Sequence, residues 1–275
     1  MTIIYANGDS FVAGVELGDD IISGHPGYLP YDENCNQNRW WIDRTYDEKD
    51  SLSKERQSKK KQISLLERNR AFPNKIASIL NYPMINRAQG GASFDRIART
   101  TIVDLIDLKN QYNNIIALIG TTCPSRSEIC NQYASLELDE TDFPMTWEQI
   151  STTFRPSHQT GTLANLIDFK IQFEKNYHQL INAYKNILLI KQFCEIHKIK
   201  LYWISGHANI NHIEVEKGFE GAKDLKNLKE YVNFNYSLDM IEIAKKSNLN
   251  DVYCPGLHLS ESIHDLVAKK IIELL

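Results

Sequence analysis

The stretch TIIYANGDS, residues 2–10, decides the fold expected for this chain. Its first five residues are apolar or β-branched, which predicts a buried strand over residues 2–7. Gly8 then allows the backbone to turn sharply as it leaves the sheet. The polar residues Asp9 and Ser10 are therefore expected at the carboxyl edge of that strand, where α/β proteins place their sites.

The rest of the chain repeats this plan of strands followed by helices. Apolar runs predict four more strands, at residues 84–86, 114–120, 200–205 and 251–253. Apolar periodicity predicts helices at residues 74–80, 95–108, 225–246 and 261–275, and a long helix within residues 163–198. Because strands alternate with helices, we expect an α/β fold with a mainly parallel five-stranded sheet.

Composition narrows the class of protein. The chain has 275 residues, of which 42% are hydrophobic and 24% charged, as in an ordinary globular protein. A net charge of −4 disfavours a nucleic-acid partner, since phosphate binding needs a positive surface. No run of 18 apolar residues and no basic leader occurs, so we expect a cytoplasmic protein without a membrane partner. Five scattered cysteines, none at CxxC spacing, predict reduced thiols rather than a disulfide framework or a zinc site.

Two polar segments interrupt the alternation, at about residues 18–70 and 123–160. We interpret them as insertions in a single domain that spans residues 1–275. Residues 54–70 are strongly basic, which is typical of a solvated helix or a lid. The alternative is a basic rim that attracts an acidic substrate or partner.

Two residues predict nucleophilic chemistry. A serine at the end of a buried strand is suited to attack, and its own backbone N–H is free to bind an oxyanion. Such a serine needs a base. Of the eight histidines, His258 is placed best, because it follows the last predicted strand and precedes the last helix. That position is on the same predicted sheet edge as Ser10.

Together these motifs resemble the SGNH/GDSL hydrolases. That family has a Gly-Asp-Ser block, a second block with a glycine, a Gly-x-Asn after the third strand, and an Asp-x-x-His near the end. The blocks are matched in order by GDS at 8–10, NRAQGGAS at 86–93, IGTTCPSR at 119–126 and HLSESIH at 258–264. The second and third blocks are similar to those of phage-encoded members. The resemblance implies a flavodoxin-like three-layer α/β/α sandwich and a serine esterase.

The resemblance also assigns roles to residues. It implies Ser10 as nucleophile and His258 as base. It implies an oxyanion hole made by the Ser10 N–H, the Gly91 N–H (with Gly90 as the alternative) and the hydroxyl of Thr122, which stands where the family has asparagine. Three further residues are candidates for substrate binding, namely Asp9, Arg126 and His207. For Arg126 the alternative is that it holds the loop itself.

One position departs from the family pattern. Pro255 stands three residues before His258, where the family has its aspartate. Three outcomes are open. Asp251 can reach the histidine from the strand end, a backbone carbonyl near residues 254–255 can orient it as a Ser–His dyad, or the site is impaired.

The function predicted is hydrolysis of an ester, such as an acetylated carbohydrate, a lipid or a small acyl compound. It needs no metal and no organic cofactor. The alternative is a binding or structural protein that keeps the fold without catalysis. A dinucleotide site is disfavoured, since no G-x-G-x-x-G occurs. A metal site at His207 and His212 is disfavoured because no acid or cysteine joins them at suitable spacing.

Overall fold

The computed structural model describes residues 1–18, 60–130, 147–151, 168, 176–206, 209–213, 221–254 and 258–275. Seven strands lie in these ranges: β1 (Thr2–Asn7), β2 (Met84–Asn86), β3 (Asn114–Gly120), β4 (Arg126–Cys130), β5 (Trp147–Ser151), β6 (Lys200–Ser205) and β7 (Leu238–Asp239). The α-helices are α1 (Ser10–Ala13), α2 (Lys60–Arg70), α3 (Phe72–Leu80), α4 (Phe94–Lys109), α5 (Asn176–Ile196), α6 (Ala222–Val232), α7 (Met240–Lys246) and α8 (Glu261–Leu274). A short 3₁₀ helix covers Ile210–His212. Among the described helices, none is long and apolar enough to cross a membrane.

The main sheet has five strands in the order β2-β1-β3-β6-β7, and every neighbouring pair is parallel. β4 and β5 form a separate antiparallel pair. In the main sheet Asn7 of β1 is paired with Ile119 of β3, so these two central strands end at the same level. This arrangement confirms the predicted α/β fold with a mainly parallel five-stranded sheet.

Helices cover both faces of the sheet because the buried strands are apolar on both sides. In β1, Ile3 and Tyr5 pack in one core with α4, α5 and α6. Ile4 and Ala6, which point the other way, pack in a second core with α3, α7 and α8. The alternation of side chains along a strand thus produces two hydrophobic layers from one segment of sequence.

The predicted fifth strand was wrong. Residues 251–253 contribute only an isolated bridge between Tyr253 and Leu259, and the fifth strand of the sheet is β7. β7 lies within the single helix expected over residues 225–246. That helix is two helices, since Asn233 adopts a left-handed conformation at the end of α6 and Asp239 caps the start of α7.

The other predicted elements are present with shifted bounds, as is usual for helix ends. The long helix expected within residues 163–198 is described as α5. Most of the two predicted insertions lies outside the described residues, so the single-domain organisation stays a prediction. The described end of the basic segment 54–70 forms α2.

Candidate active site

The chain leaves β1 through a turn that only glycine fits. Gly8 has φ of 152°, and a Cβ atom built on it would lie 2.6 Å from Cγ2 of Val12. The Asp9 carboxylate then accepts a hydrogen bond from the Phe11 N–H and caps α1, the short helix that begins at Ser10. Ser10 is 7% exposed. The nucleophile candidate therefore lies at the carboxyl end of a central strand, as the sequence predicted.

His258 lies beside this short helix and next to α8. Its ring centroid is 5.2 Å from that of Phe11, the residue after Ser10. Its Nδ1 is 3.0 Å from Oε2 of Glu16, and its backbone N–H donates to the same oxygen at 3.3 Å. An ionised carboxylate can only accept, so Nδ1 is the donor in this contact, and in a neutral imidazole Nε2 then has the lone pair.

Glu16 is buried, with only 2% of its surface exposed, and it follows α1 on the loop that leaves the helix. Its φ is +76°, a left-handed conformation that is unfavourable for a residue with a side chain. Neighbouring elements fix this conformation. The Glu16 N–H donates to Oε1 of Glu67 at 2.6 Å, and Arg70 Nη1 donates to the Leu17 carbonyl at 2.7 Å. The end of α2 thus holds the loop that carries Glu16.

The expectation that Asp251 orients His258 needs correction. The Asp251 carboxylate accepts a hydrogen bond from the Ser262 hydroxyl in the first turn of α8. The antiparallel bridge between residues 253 and 259 places residue 251 beside the start of α8. The second expected arrangement was a dyad in which a backbone carbonyl orients the imidazole. The structure instead has the Glu16 carboxylate at Nδ1 of His258.

Ser10 and His258 are neighbours without a direct hydrogen bond. In the described part of the chain, the Ser10 hydroxyl makes no hydrogen bond, and its link to His258 is the packing of Phe11. Hydrogen bonds of this kind are often long in unliganded enzymes and shorten when substrate binds.

Gly90 of the second block lies beside Ser10. A Cβ atom built on Gly90 would be 3.9 Å from Ser10 Cβ, an ordinary contact distance. Gly91 follows with φ of +79°, and Ser93 then caps α4. The loop between β2 and α4 therefore passes next to the nucleophile candidate. Assignment of the oxyanion donor to Gly91 stays a prediction.

The loop after β3 brings Thr122 to the same edge. The Thr121 hydroxyl lies 2.9 Å from the Tyr236 hydroxyl, and burial raises the pKa of Tyr236 to about 12, so that phenol stays neutral. Thr122 accepts a hydrogen bond from Arg126 Nη1 at 2.8 Å. The same Nη1 lies 3.5 Å from Oδ2 of Asp9.

These contacts change the expectation for two substrate-binding candidates. Asp9 is fully buried as a helix cap and ion-pair partner, so its contacts are with the protein, and a role in substrate binding stays a prediction. The Arg126 side chain is 17% exposed and already bonded to Thr122. The third candidate, His207, lies outside the described residues, as does Pro255. Across the described ranges, no three histidine, cysteine or carboxylate residues are grouped to hold a metal ion.

The residue that sequence reasoning missed is Glu16. A signal for it exists in FVAGVEL, residues 11–17, where Glu16 is the only charged residue in an apolar run. A charge in such a run is expected to be buried with a partner. The partner could not be read from the sequence, since His258 is 242 positions away.

Fold and site together define an α/β protein with a serine, a histidine and a buried carboxylate at one edge of a parallel sheet. No family model and no curated protein matches the sequence. Among solved structures, the chain is similar to a member of the lipolytic G-D-S-L family from Veillonella parvula, with 12% identity, coverage of 100% of this chain and 98% of that one, and a TM-score of 0.40.

Two further solved structures are similar at the same level. The psychrotrophic esterase from Pseudoalteromonas sp. is 10% identical, with coverage of 98% and 94% and a TM-score of 0.40. The lipase/acylhydrolase from Enterococcus faecalis is 13% identical, with coverage of 100% and 95% and a TM-score of 0.34. These values are low, so we infer function only from the chain's own side chains.

Proposed function

We propose that this chain is a serine hydrolase that cleaves an ester through an acyl-enzyme on Ser10, with His258 as general base and Glu16 as the residue that orients His258. One observation carries the proposal. The Nδ1 of His258, beside the helix that begins at Ser10, is 3.0 Å from a carboxylate that is 2% exposed. A buried carboxylate on one imidazole nitrogen leaves the other nitrogen as a proton acceptor.

In the first half of the reaction, Nε2 of His258 takes the hydroxyl proton of Ser10 while Oγ bonds to the ester carbonyl carbon. The carbonyl π electrons move to oxygen, and the N–H groups of Ser10 and Gly91 and the Thr122 hydroxyl stabilise that oxyanion. When the intermediate collapses, the bond to the alcohol oxygen breaks. His258 returns its proton to this leaving oxygen.

In the second half, His258 takes a proton from water as the water oxygen attacks the acyl carbon. The new tetrahedral intermediate then collapses, the bond to Ser10 Oγ breaks, and His258 protonates Oγ. The products are an acid and an alcohol, and the enzyme returns to its starting state. Residues of the chain and water supply every group that these steps use.

Glu16 takes the role that the aspartate before the histidine has in the resembled family. It approaches from the loop after α1 rather than from the residues just before His258. Its carboxylate fixes the ring and offsets the charge that His258 gains. Its left-handed backbone supports this role, since strained backbone conformations are common at functional sites.

The resemblance favours an acetyl or acyl ester of a carbohydrate, a lipid or a small molecule. The basic residues of segment 54–70 favour a substrate with an acidic group.

The proposal is tested by turnover of short p-nitrophenyl esters together with labelling by a fluorophosphonate probe. We expect wild-type protein to hydrolyse p-nitrophenyl acetate and to be labelled at Ser10, as mapped by peptide mass analysis. Ser10→Ala is expected to lose both activities while it keeps the wild-type urea midpoint. The matched control is Ser125→Ala, which removes a hydroxyl from another buried serine. A folded wild-type protein that neither turns over esters nor accepts the probe would overturn the proposal.

A further inference from the structure

Arg126 makes two contacts that join the nucleophile loop to the loop after β3. Its Nη1 donates to Oγ1 of Thr122 at 2.8 Å and lies 3.5 Å from Oδ2 of Asp9. Thr122 and Asp9 are both buried, with exposed fractions of 1% and 0%. One guanidinium therefore links the residue before Ser10 to the residue that the proposed mechanism uses as an oxyanion donor.

The contact with Thr122 limits the direction of a hydroxyl proton. A guanidinium is only a donor, whereas a hydroxyl has one proton to donate and two lone pairs that accept. Since Arg126 donates, Thr122 must accept, and its own proton must point elsewhere. In the described part of the chain, the Thr122 hydroxyl makes no other hydrogen bond. Its proton is therefore available to a bound substrate.

The backbone places that proton at the edge of the sheet where Ser10 lies. β1 and β3 end at the same level, because Asn7 is paired with Ile119. The backbone segments that follow these two residues stay close, since a Cβ atom built on Gly8 would lie 3.1 Å from the Gly120 Cα atom. The loops that carry Ser10 and Thr122 thus leave the sheet side by side.

We propose that Arg126 is a positioning residue that makes the Thr122 hydroxyl a donor to the oxyanion. This inference rests on the proposed function and deepens it. An amide in this position would carry its N–H donors in a fixed plane, but a hydroxyl rotates and is equally able to accept. Arg126 removes that freedom by occupying a lone pair. Donors that are oriented before the reaction stabilise an oxyanion without reorganisation.

Asp9 completes the arrangement. Its Oδ1 caps α1, and its Oδ2 is buried without a hydrogen-bond partner, which leaves the nearby guanidinium as its counter-charge. A buried carboxylate next to the nucleophile would otherwise oppose the charge that develops on the oxyanion. Arg126 offsets that charge while its planar group bridges the two loops.

The test compares two substitutions of Arg126 that differ in one property. Arg126→Lys keeps a positive group that only donates, so the Thr122 hydroxyl must still accept. Arg126→Gln introduces an amide oxygen that can accept the Thr122 proton and turn it away from the oxyanion. We measure kcat and KM for p-nitrophenyl acetate and the rate of fluorophosphonate labelling at Ser10. Urea midpoints verify that each variant is folded.

We expect Arg126→Gln to lower kcat and the labelling rate by about tenfold with little change in KM, and Arg126→Lys to retain most of both. Thr122→Val, which removes the hydroxyl, is expected to lower them by about 100-fold. In the Thr122→Val background, Arg126→Gln should have no further effect beyond about twofold, because the group that it positions is gone.

Other outcomes overturn the inference in distinct ways. If Arg126→Gln lowers kcat and the labelling rate equally in the wild-type and Thr122→Val backgrounds, Arg126 does not act through the Thr122 hydroxyl. Equal kcat values for Arg126→Lys and Arg126→Gln would show that Arg126 does not position the hydroxyl. A change confined to KM would show that Arg126 contacts the substrate instead. An unlabelled, inactive wild-type protein would instead overturn the proposed function, and this inference with it.

Discussion

Nδ1 of His258 and Oε2 of Glu16 lie 3.0 Å apart, although the two residues are 242 positions apart in the chain. The contact pairs the loop before the last helix with the loop after the first one. Both side chains are shielded from water, with exposed fractions of 11% for His258 and 1% for Glu16. An ion pair or charge-assisted hydrogen bond in such a place is screened little by solvent.

The role of this contact is tested by Glu16→Gln. The amide is nearly the same size, but it carries no charge and can present an N–H to the imidazole, which favours the wrong tautomer. We expect kcat for p-nitrophenyl acetate to fall by about 10²- to 10⁴-fold while KM changes little. Asp251→Asn is the control and should leave kcat near the wild-type value, because Asp251 bonds to Ser262. A larger loss in the control than in Glu16→Gln would return the orienting role to Asp251.

A second prediction concerns Glu67, whose Oε1 accepts from the Glu16 N–H at 2.6 Å. Glu67→Ala removes the acceptor that holds the left-handed backbone of Glu16, so the carboxylate beside His258 is expected to lose its fixed position. We expect kcat to fall by about 10- to 100-fold with KM little changed. Glu67→Gln keeps an acceptor oxygen and should retain most of the activity. If kcat falls equally in Glu67→Ala and Glu67→Gln, the charge of Glu67 matters rather than its hydrogen bond.

A third prediction concerns the turn at Gly8. Gly8→Ala places a methyl group 2.6 Å from Cγ2 of Val12 and 3.1 Å from the Gly120 Cα atom, at a φ that disfavours side chains. We expect the free energy of unfolding in urea to fall by about 1–3 kcal/mol. The double variant Gly8→Ala/Val12→Ala is informative, since it removes the closest contact and leaves the backbone strain. A double variant that recovers none of the loss caused by Gly8→Ala would show that backbone strain dominates.

The sequence predicts the sheet and its functional edge well because these features follow from local patterns. The run at 2–7 is apolar on both faces and leads directly into a glycine, so a central strand and the turn before Ser10 follow from nearest neighbours alone. The same holds for His258, which lies just before a helix whose cap, Ser260, is visible in the sequence. Whether Ser10 and His258 catalyse stays a prediction.

The remaining features depend on contacts between distant residues or on very short elements. β7 has two residues and is paired only with β6, so no periodicity reveals it. Glu16 becomes a partner of His258 only because Glu67 and Arg70 of α2 hold its loop. Asp251 is closer in sequence to His258 than Glu16 is, yet the bridge between residues 253 and 259 places it beside the start of α8. Proximity along the chain therefore does not identify the carboxylate that contacts His258.

The last prediction concerns stability and His264, which is fully buried in α8. Its Nδ1 accepts from the Phe72 N–H at 3.0 Å, at the start of α3, where the cap residue Ala71 has no side-chain acceptor. Burial, and secondarily the positive charge of Lys75 and that of His258 when it is protonated, lower the pKa of His264 from its ordinary value to about 3. The imidazole is thus held neutral as the cap of a helix distant in sequence.

The pH dependence follows from the sign of this shift. Below about pH 6.5 the unfolded chain binds a proton at residue 264 that the folded protein excludes until about pH 3, so this contribution to stability is complete above pH 6.5 and declines as the pH falls. His264→Asn offers an acceptor oxygen without a titrating group. We expect the free energy of unfolding in urea to fall less between pH 7.5 and pH 5 for this variant than for the wild-type protein. His264→Leu should instead lose about 1–3 kcal/mol at pH 7.5, because the Phe72 N–H is left without an acceptor. Parallel pH dependence in the wild-type and His264→Asn proteins would show that other groups dominate acid unfolding.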